Sequence, residues 1–312
     1  MRRGRAQTVV SLRPRSPFRL DATVWALRRR PENAIDRWDG TTYSRTFALF
    51  GRTASVTVRQ TGTPLRPRLE IAVASGGPPS DVVPAVVSAV QRMLGTDVDL
   101  GGFYLLAAND PQLAPLVERF RGVKPPRFPT LFEALVNAVA CQQLSLTMGI
   151  RLLGRLAALA HGPGADDVRE PPFPRAERVA ALRSASLRRA GFSRQKIAAL
   201  RDIARAAVAG RLDPEQFSGL DDSHAVGRLR ELRGIGRWSA EYVLLRGLGR
   251  WQVFPGDDIG ARNNLQGWLG LRKSLDYESL RKIVRRWHPY AGLVYFHLLL
   301  RQLAESGRST IA

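Results

Sequence analysis

The apolar residues of this chain change period near residue 110, and that change constrains its architecture more than any other feature. Between Phe18 and Ala74 the apolar positions fall in short strand-like runs: Phe18 to Leu27, Thr42 to Phe50, Ala54 to Gln60 and Leu69 to Ala74. Turn residues such as Asp39-Gly40, Gly51 and Gly62-Thr63-Pro64 separate them, which predicts an antiparallel sheet. Pro31 to Trp38 is expected to form a short helix in the first connection. Asp81 to Leu94, behind the Gly76 to Pro79 break and capped by Ser80, is expected to form a longer one. Beyond residue 110 apolar residues recur every three or four positions nearly to the end, in segments such as 129–141, 146–160, 193–209, 223–232, 239–248, 259–269, 277–287 and 291–304. Short loops bearing Gly or Pro divide them.

The fold class is therefore α+β. A flexible basic arm is expected over 1–15, a small antiparallel domain with helices over 16–110, an all-helical bundle over 111–305 and a short tail over 306–312. At 312 residues the chain is long enough for two packed cores. Cys141 is the only cysteine, which excludes an intramolecular disulfide and a cysteine-ligated cluster, and suits a reducing cytosol. The four histidines have no metal-ligand spacing, so no metal site is expected. No signal peptide or membrane span is apparent, and a cytoplasmic location is expected.

Net charge points to a partner. Lys and Arg total 48 against 27 Asp and Glu, a formal charge of +21. All but Lys124, Lys196, Lys273 and Lys282 of these cations are arginine. Such a chain binds polyanions at least non-specifically; the competing reading is that an arginine-rich proteome, not a ligand, set part of the excess. Arg28-Arg29-Arg30 reads as a solvated face.

The stretch Leu232 to Tyr242 gives that partner a contact. Gly234 and Gly236 bracket Ile235 and run into an apolar helical pattern, so hairpin 232–238 is expected to turn tightly at a helix N-terminus. Both glycines are expected in conformations costly for other residues, with free backbone N–H groups facing a phosphate. The pair Asp257-Asp258 follows 22 positions (258 − 236) after the second glycine. A helix cap is the alternative reading of that pair.

The pattern Leu232-x-Gly234-Ile235-Gly236-x-Trp238-Ser239-Ala240, followed by Phe254-Pro255-x-x-Asp258-Ile259-Gly260, resembles the helix–hairpin–helix DNA glycosylase superfamily, in particular its bacterial 3-methyladenine glycosylase II branch. The resemblance covers roughly residues 16 to 305, since Phe18 to Leu20 and Arg37 to Gly40 are loosely similar to that family's N-terminal domain. It implies that Asp258 is the catalytic carboxylate, stabilising an oxocarbenium-like transition state at the deoxyribose C1′. Relatives that also cut the strand carry a lysine where this chain has Trp238, so the resemblance implies a monofunctional enzyme that leaves an abasic site. No cofactor is implied. The implied partner is duplex DNA bearing alkylated purines, bound by a monomer that works on the bacterial nucleoid.

An alkylated purine is cationic and is attracted to aromatic faces. Trp238 and Tyr242, four residues apart on one helical face, are candidate pocket walls. Tyr290, in a segment similar to the family's Trp-x-Pro-aromatic motif, is a third. Ordinary core packing is the competing reading for all three. Cys141 to Ser145 resembles the turn that carries the family's wedge, which refills the stack after base flipping. Gln143 is the first choice and Leu144 the second, against a solvent-facing glutamine and a core leucine. Arg237 and Arg262 are expected phosphate contacts, Ser193 a helix cap, and Arg194 or Lys196 a DNA contact. Cys141 is expected to be a small core residue. Ala291-Gly292 departs from the family's Arg-Ser and is expected to alter the pocket. Two further readings remain: a non-catalytic DNA-binding module, which has no use for Asp258, and a glycosylase for oxidised or deaminated bases.

Overall fold

The computed structural model describes residues 7–76, 79–162, 170–307, 309 and 311. Its N-terminal part is a five-stranded sheet in the order β1-β5-β4-β3-β2, antiparallel throughout. The strands are β1 (Gln7–Leu12), β2 (Arg37–Trp38), β3 (Thr42–Leu49), β4 (Arg52–Gln60) and β5 (Leu69–Ser75). Two helices, α1 (Leu20–Arg28) and α2 (Pro79–Leu94), pack on the sheet. The alternation in β5 places Leu69, Ile71 and Val73 inward and Glu70 outward, as a sheet with one buried face requires.

Four sequence expectations fail here. The run Phe18 to Leu27 is not a strand but mostly helix α1. Eight of its nine helical residues are buried, because Leu20, Val24 and Leu27 face the sheet while Ala22, Trp25 and Ala26 face the helical bundle. A helix buried on two sides loses the one-sided stripe that identifies it in sequence. Residues 31–36 form turns rather than a helix and lead into strand β2 at Arg37–Trp38, fixed by Asn33, whose Oδ1 accepts from the N–H groups of Ile35 and Asp36 at 2.9 Å. The arm expected over 1–15 is in part strand β1, paired from Gln7 with Ala74 to Leu12 with Leu69; residues 1–6 lie outside the described residues. Ser80 sits inside the first turn of α2, which starts at Pro79, and donates to Asp81 Oδ1 at 3.0 Å instead of capping.

The bundle comprises α3 (Gly101–Ala108), α4 (Leu113–Arg119), α5 (Leu131–Cys141), α6 (Leu146–His161), α7 (Ala176–Ala181), α8 (Ser184–Arg189), α9 (Arg194–Val208), α10 (Asp222–Arg230), α11 (Arg237–Val243), α12 (Ile259–Trp268), α13 (Tyr277–Val284) and α14 (Ala291–Glu305). Side-chain oxygens cap several of them: Ser193, as anticipated, accepts from Lys196 N–H, and Thr130 accepts from Glu133 N–H. Two apolar cores divide the bundle. One joins α5, α6, α9 and α11, the other α1, α3, α4, α12 and α14. Helix α11 and the start of α12 border one cavity.

A buried ion cluster fastens the sheet to the bundle. Arg45 on β3 bonds Asp36 Oδ1 at 2.7 Å and Glu133 Oε2 on α5 at 2.6 Å, with Arg45 1% exposed. Burial raises the Glu133 carboxyl to about 7, against the pull of Arg45. Arg28, Arg29 and Arg30 are buried rather than solvated. They close the end of α1, where it enters the bundle.

Candidate active site

The hairpin joins α10 to α11 as expected, but its two glycines serve different ends. Gly234 has φ +80°, and a Cβ there would lie 2.9 Å from the Ala199 Cβ; both facts require glycine. Gly236 is extended, with φ −88° and ψ −178°, a backbone open to any residue. What its missing side chain provides is access, since nothing lies within 4 Å of a Cβ built there. The N–H groups of the first turn of α11 have no acceptors within the helix.

Two turns converge on this hairpin. Lys196 donates its Nζ to the carbonyls of Ala140 and Gln142 at 2.7 and 2.9 Å, holding the end of α5 rather than projecting outward. The Gln142 amide donates to Gly234 O and Ser239 Oγ, both at 2.8 Å. Between them Gln143 stands exposed in a left-handed conformation, φ 54°. Leu144 is 44% exposed, so it is not the core leucine of the alternative reading.

Asp258 caps α12 through Oδ1, which accepts from Ala261 N–H at 2.9 Å. Its Oδ2 lies 3.5 Å from the Tyr295 hydroxyl. The cap and the pocket carboxylate are thus the same residue, one oxygen to each. Burial, then the charge of Asp258, pushes the Tyr295 phenol well above its ordinary range, so it remains a donor. Asp257 turns the other way and pairs with Arg237 Nε at 2.6 Å. Arg237 also stacks 3.6 Å from the centroid of Tyr277, so one of the two expected phosphate contacts is already engaged within the protein. Arg262 is half-buried in the first turn of α12.

Trp238 and Tyr242 stack with centroids 5.6 Å apart and planes 31° from parallel. Together with Asp258, Tyr295, Arg29 and Cys141 they border a cavity of about 310 Å³, enough for a purine. Trp238, Asp258, Leu144 and Cys141 also border an adjoining groove lined by Gln143, Gly234 and Ile259. Cys141 is therefore half-buried at the pocket rim rather than a core residue. A larger cavity on the far side of α11, about 670 Å³, borders Arg237 and Glu241 but not Asp258.

Tyr290 does not belong to the pocket. It precedes α14 and packs on Phe103, with centroids 5.8 Å apart. Tyr295 lies five positions later, about 140° further around the helix, and takes the place expected of Tyr290. Ala291-Gly292 also lies away from the cavity. Gly292 N–H donates to Trp251 O at 2.7 Å, and a Cβ on Gly292 would meet that carbonyl at 2.8 Å, so a small residue there serves packing.

Three functional neighbours had no signal in the sequence: Tyr295, Arg29 and Glu241. Glu241 is buried on α11 and accepts from Gly256 N–H at 3.0 Å and from the Tyr277 hydroxyl at 2.5 Å. It anchors the turn that delivers Asp258, and burial raises its carboxyl above its usual range. Only the tertiary fold brings these residues to the site.

The sheet domain, the hairpin, the carboxylate on α12 and the aromatic cavity agree with what sequence comparison finds. Residues 9–129 match the AlkA N-terminal domain, and residues 136–289 match the HhH-GPD superfamily base excision DNA repair proteins. The chain belongs to the HhH-GPD superfamily. One relative is the DNA-3-methyladenine glycosylase of Bacillus subtilis, 28% identical over 68% of this chain and 71% of that protein. Another is DNA-3-methyladenine glycosylase 2 of Escherichia coli, 32% identical over 57% of this chain and 60% of that protein. Among solved structures, the 3-methyladenine DNA glycosylase of Archaeoglobus fulgidus has the same fold, with a TM-score of 0.77 at 24% identity over 95% of this chain and 99% of that one. The Schizosaccharomyces pombe 3-methyladenine DNA glycosylase in complex with abasic DNA aligns with a TM-score of 0.54 at 27% identity, over 62% of this chain and 92% of that one.

Proposed function

We propose that this chain is a monofunctional DNA glycosylase that draws an alkylated purine out of duplex DNA and hydrolyses its N-glycosidic bond, leaving an intact abasic strand. The observation that carries the reading is Asp258 Oδ2, which stands in a purine-sized cavity beside Trp238 and Tyr242. The names of the relatives supply the substrate class.

In this reading the first turn of α11, behind Gly234 and Gly236, grips a DNA phosphate, and Arg262 is a second backbone contact. Gln143, held out by its left-handed backbone, fills the stack vacated by the flipped base, with Leu144 beside it. Trp238 offers its face to the alkylated base; each such contact contributes about 0.5 to 2 kcal/mol. As the C1′–N bond breaks, its electron pair leaves with the cationic base, which departs neutral. The positive charge that grows on the sugar is stabilised by Asp258. Water then bonds to C1′ and loses a proton. Trp238 occupies the position from which an amine would attack, so no Schiff base forms and the strand is not cut. In the same reading the enzyme works as a monomer.

The test is to incubate the protein with methylated duplex DNA, separate the released bases by chromatography and examine the strand on a denaturing gel. Release of 3-methyladenine or 7-methylguanine with an alkali-labile but unbroken strand is expected. No release, or a break without added alkali, contradicts the reading.

A further inference from the structure

Arg29 reaches the site from the sheet domain. It follows α1 with φ 63°, a left-handed conformation for which glycine is the usual residue at a helix end. A long cationic side chain at that strained position suggests that the guanidinium itself is needed. The side chain is 4% exposed and borders the cavity that holds Asp258 and Trp238. Its Nη1 donates to the Tyr242 hydroxyl at 2.8 Å and its Nη2 donates to Asn137 Oδ1. Its Nε–H is buried with no acceptor. Among the described residues no carboxylate pairs with it.

The hydrogen-bond inventory of this floor is one-sided. A guanidinium only donates. Because the Tyr242 oxygen accepts from Arg29, the phenol proton remains to be given to something else. A second buried guanidinium, Arg246, lies 5.6 Å from the centroid of Tyr242 on a carbonyl anchor, Ala26 O at 2.8 Å. It adds positive charge behind the same ring. The wall at Arg29 and Tyr242 therefore offers donors and positive potential, while the Asp258 carboxylate faces Tyr295 elsewhere on the lining, and a base whose edge toward Arg29 carries an acceptor satisfies it. One whose inner edge carries an amino group leaves donor facing donor, which is costly in a dry site.

We propose that Arg29, acting with Tyr242, is a specificity-determining residue that reads the 6-position of the flipped purine, favouring a 6-carbonyl base of the guanine or hypoxanthine type over a 6-amino base of the adenine type. This rests on the glycosylase reading above. Trp238 selects for charge and Arg29 for the acceptor, so the two preferences are independent.

Methylated duplex DNA supplies a matched pair in one tube. 7-Methylguanine carries a 6-carbonyl and 3-methyladenine a 6-amino group, and both are cationic. Their initial rates of release from the same DNA, corrected for spontaneous loss, give the ratio of kcat/KM directly. Arg29→Met is expected to lower the ratio of 7-methylguanine to 3-methyladenine roughly tenfold relative to the unmodified protein, equivalent to about 1.4 kcal/mol. Tyr242→Phe is expected to lower it by a smaller factor. A variant that merely folds poorly slows both releases equally and leaves the ratio unchanged. If the unmodified protein releases both bases and the ratio in Arg29→Met stays within about twofold, Arg29 does not read the base and the inference fails alone. If the unmodified protein releases neither, the glycosylase reading fails and this inference with it.

Discussion

The side-chain amide of Gln142 donates to the Gly234 carbonyl across 2.8 Å, joining the turn that exposes Gln143 to the hairpin in front of α11. The same amide reaches Ser239 Oγ, so one residue sets the spacing between the proposed wedge and the proposed phosphate grip.

Gln142→Ala removes both bonds while leaving the α5 cap on Lys196 in place. The expected result is a loss of kcat/KM on lesion-bearing duplex of about tenfold to a hundredfold, from misplacement rather than lost chemistry. Thermal stability should fall by no more than about 1 to 2 kcal/mol for two partly exposed hydrogen bonds. Single-turnover kinetics beside a denaturant melt separates the two. Unchanged kinetics would show that the wedge turn and the hairpin are not coupled.

Arg45 holds Asp36 and Glu133 together where sheet and bundle meet. Arg45→Met strands two carboxylates in a buried site and is expected to destabilise the protein by about 3 to 5 kcal/mol. Chemical denaturation measures this directly. A cost below about 1 kcal/mol would mean that the cluster is an incidental surface-like pair.

His297 is buried between Phe103 and Phe120, and burial lowers it from 6.5 to about 4. Its Nδ1 lies 2.8 Å from Leu293 O, so the neutral ring donates there. The unfolded chain takes up a proton near pH 6.5 that the folded chain refuses until about pH 4. Stability therefore falls as pH drops through that window and is unaffected by this group above it, with a total loss of up to about 3 kcal/mol. His297→Phe should flatten this part of the acid limb when its stability is subtracted from that of the unmodified protein between pH 4 and 7. A difference that does not vary with pH would contradict the assignment.

The legible parts of this protein were those set by local periodicity and by short contiguous motifs. Strands β3, β4 and β5 alternate cleanly, and α5, α6, α9 and α14 carry their own apolar spacing, so their types could be read directly. Asp258 and Trp238 sit in one short motif each, and the fold brings both to one cavity. Helix α1 escapes a reading from periodicity because it is buried on both sides, and the motif that points to Tyr290 says nothing of Tyr295, because a motif carries no information about which way a helix turns. The burial of Arg28, Arg29 and Arg30 was invisible, since a run of cations normally faces water. Only a contact across more than a hundred residues, such as Arg29 to Tyr242, reveals otherwise.

In the proposed reaction Asp258, and not its neighbour, supplies the negative charge for bond cleavage. Asp258→Asn keeps an oxygen that can cap α12 and removes only the charge, while Asp257→Asn weakens only the pair with Arg237. Single-turnover release of 7-methylguanine from methylated duplex should fall by about a hundredfold or more in Asp258→Asn and by less than about tenfold in Asp257→Asn. Equal activity of Asp258→Asn and the unmodified protein would contradict the account.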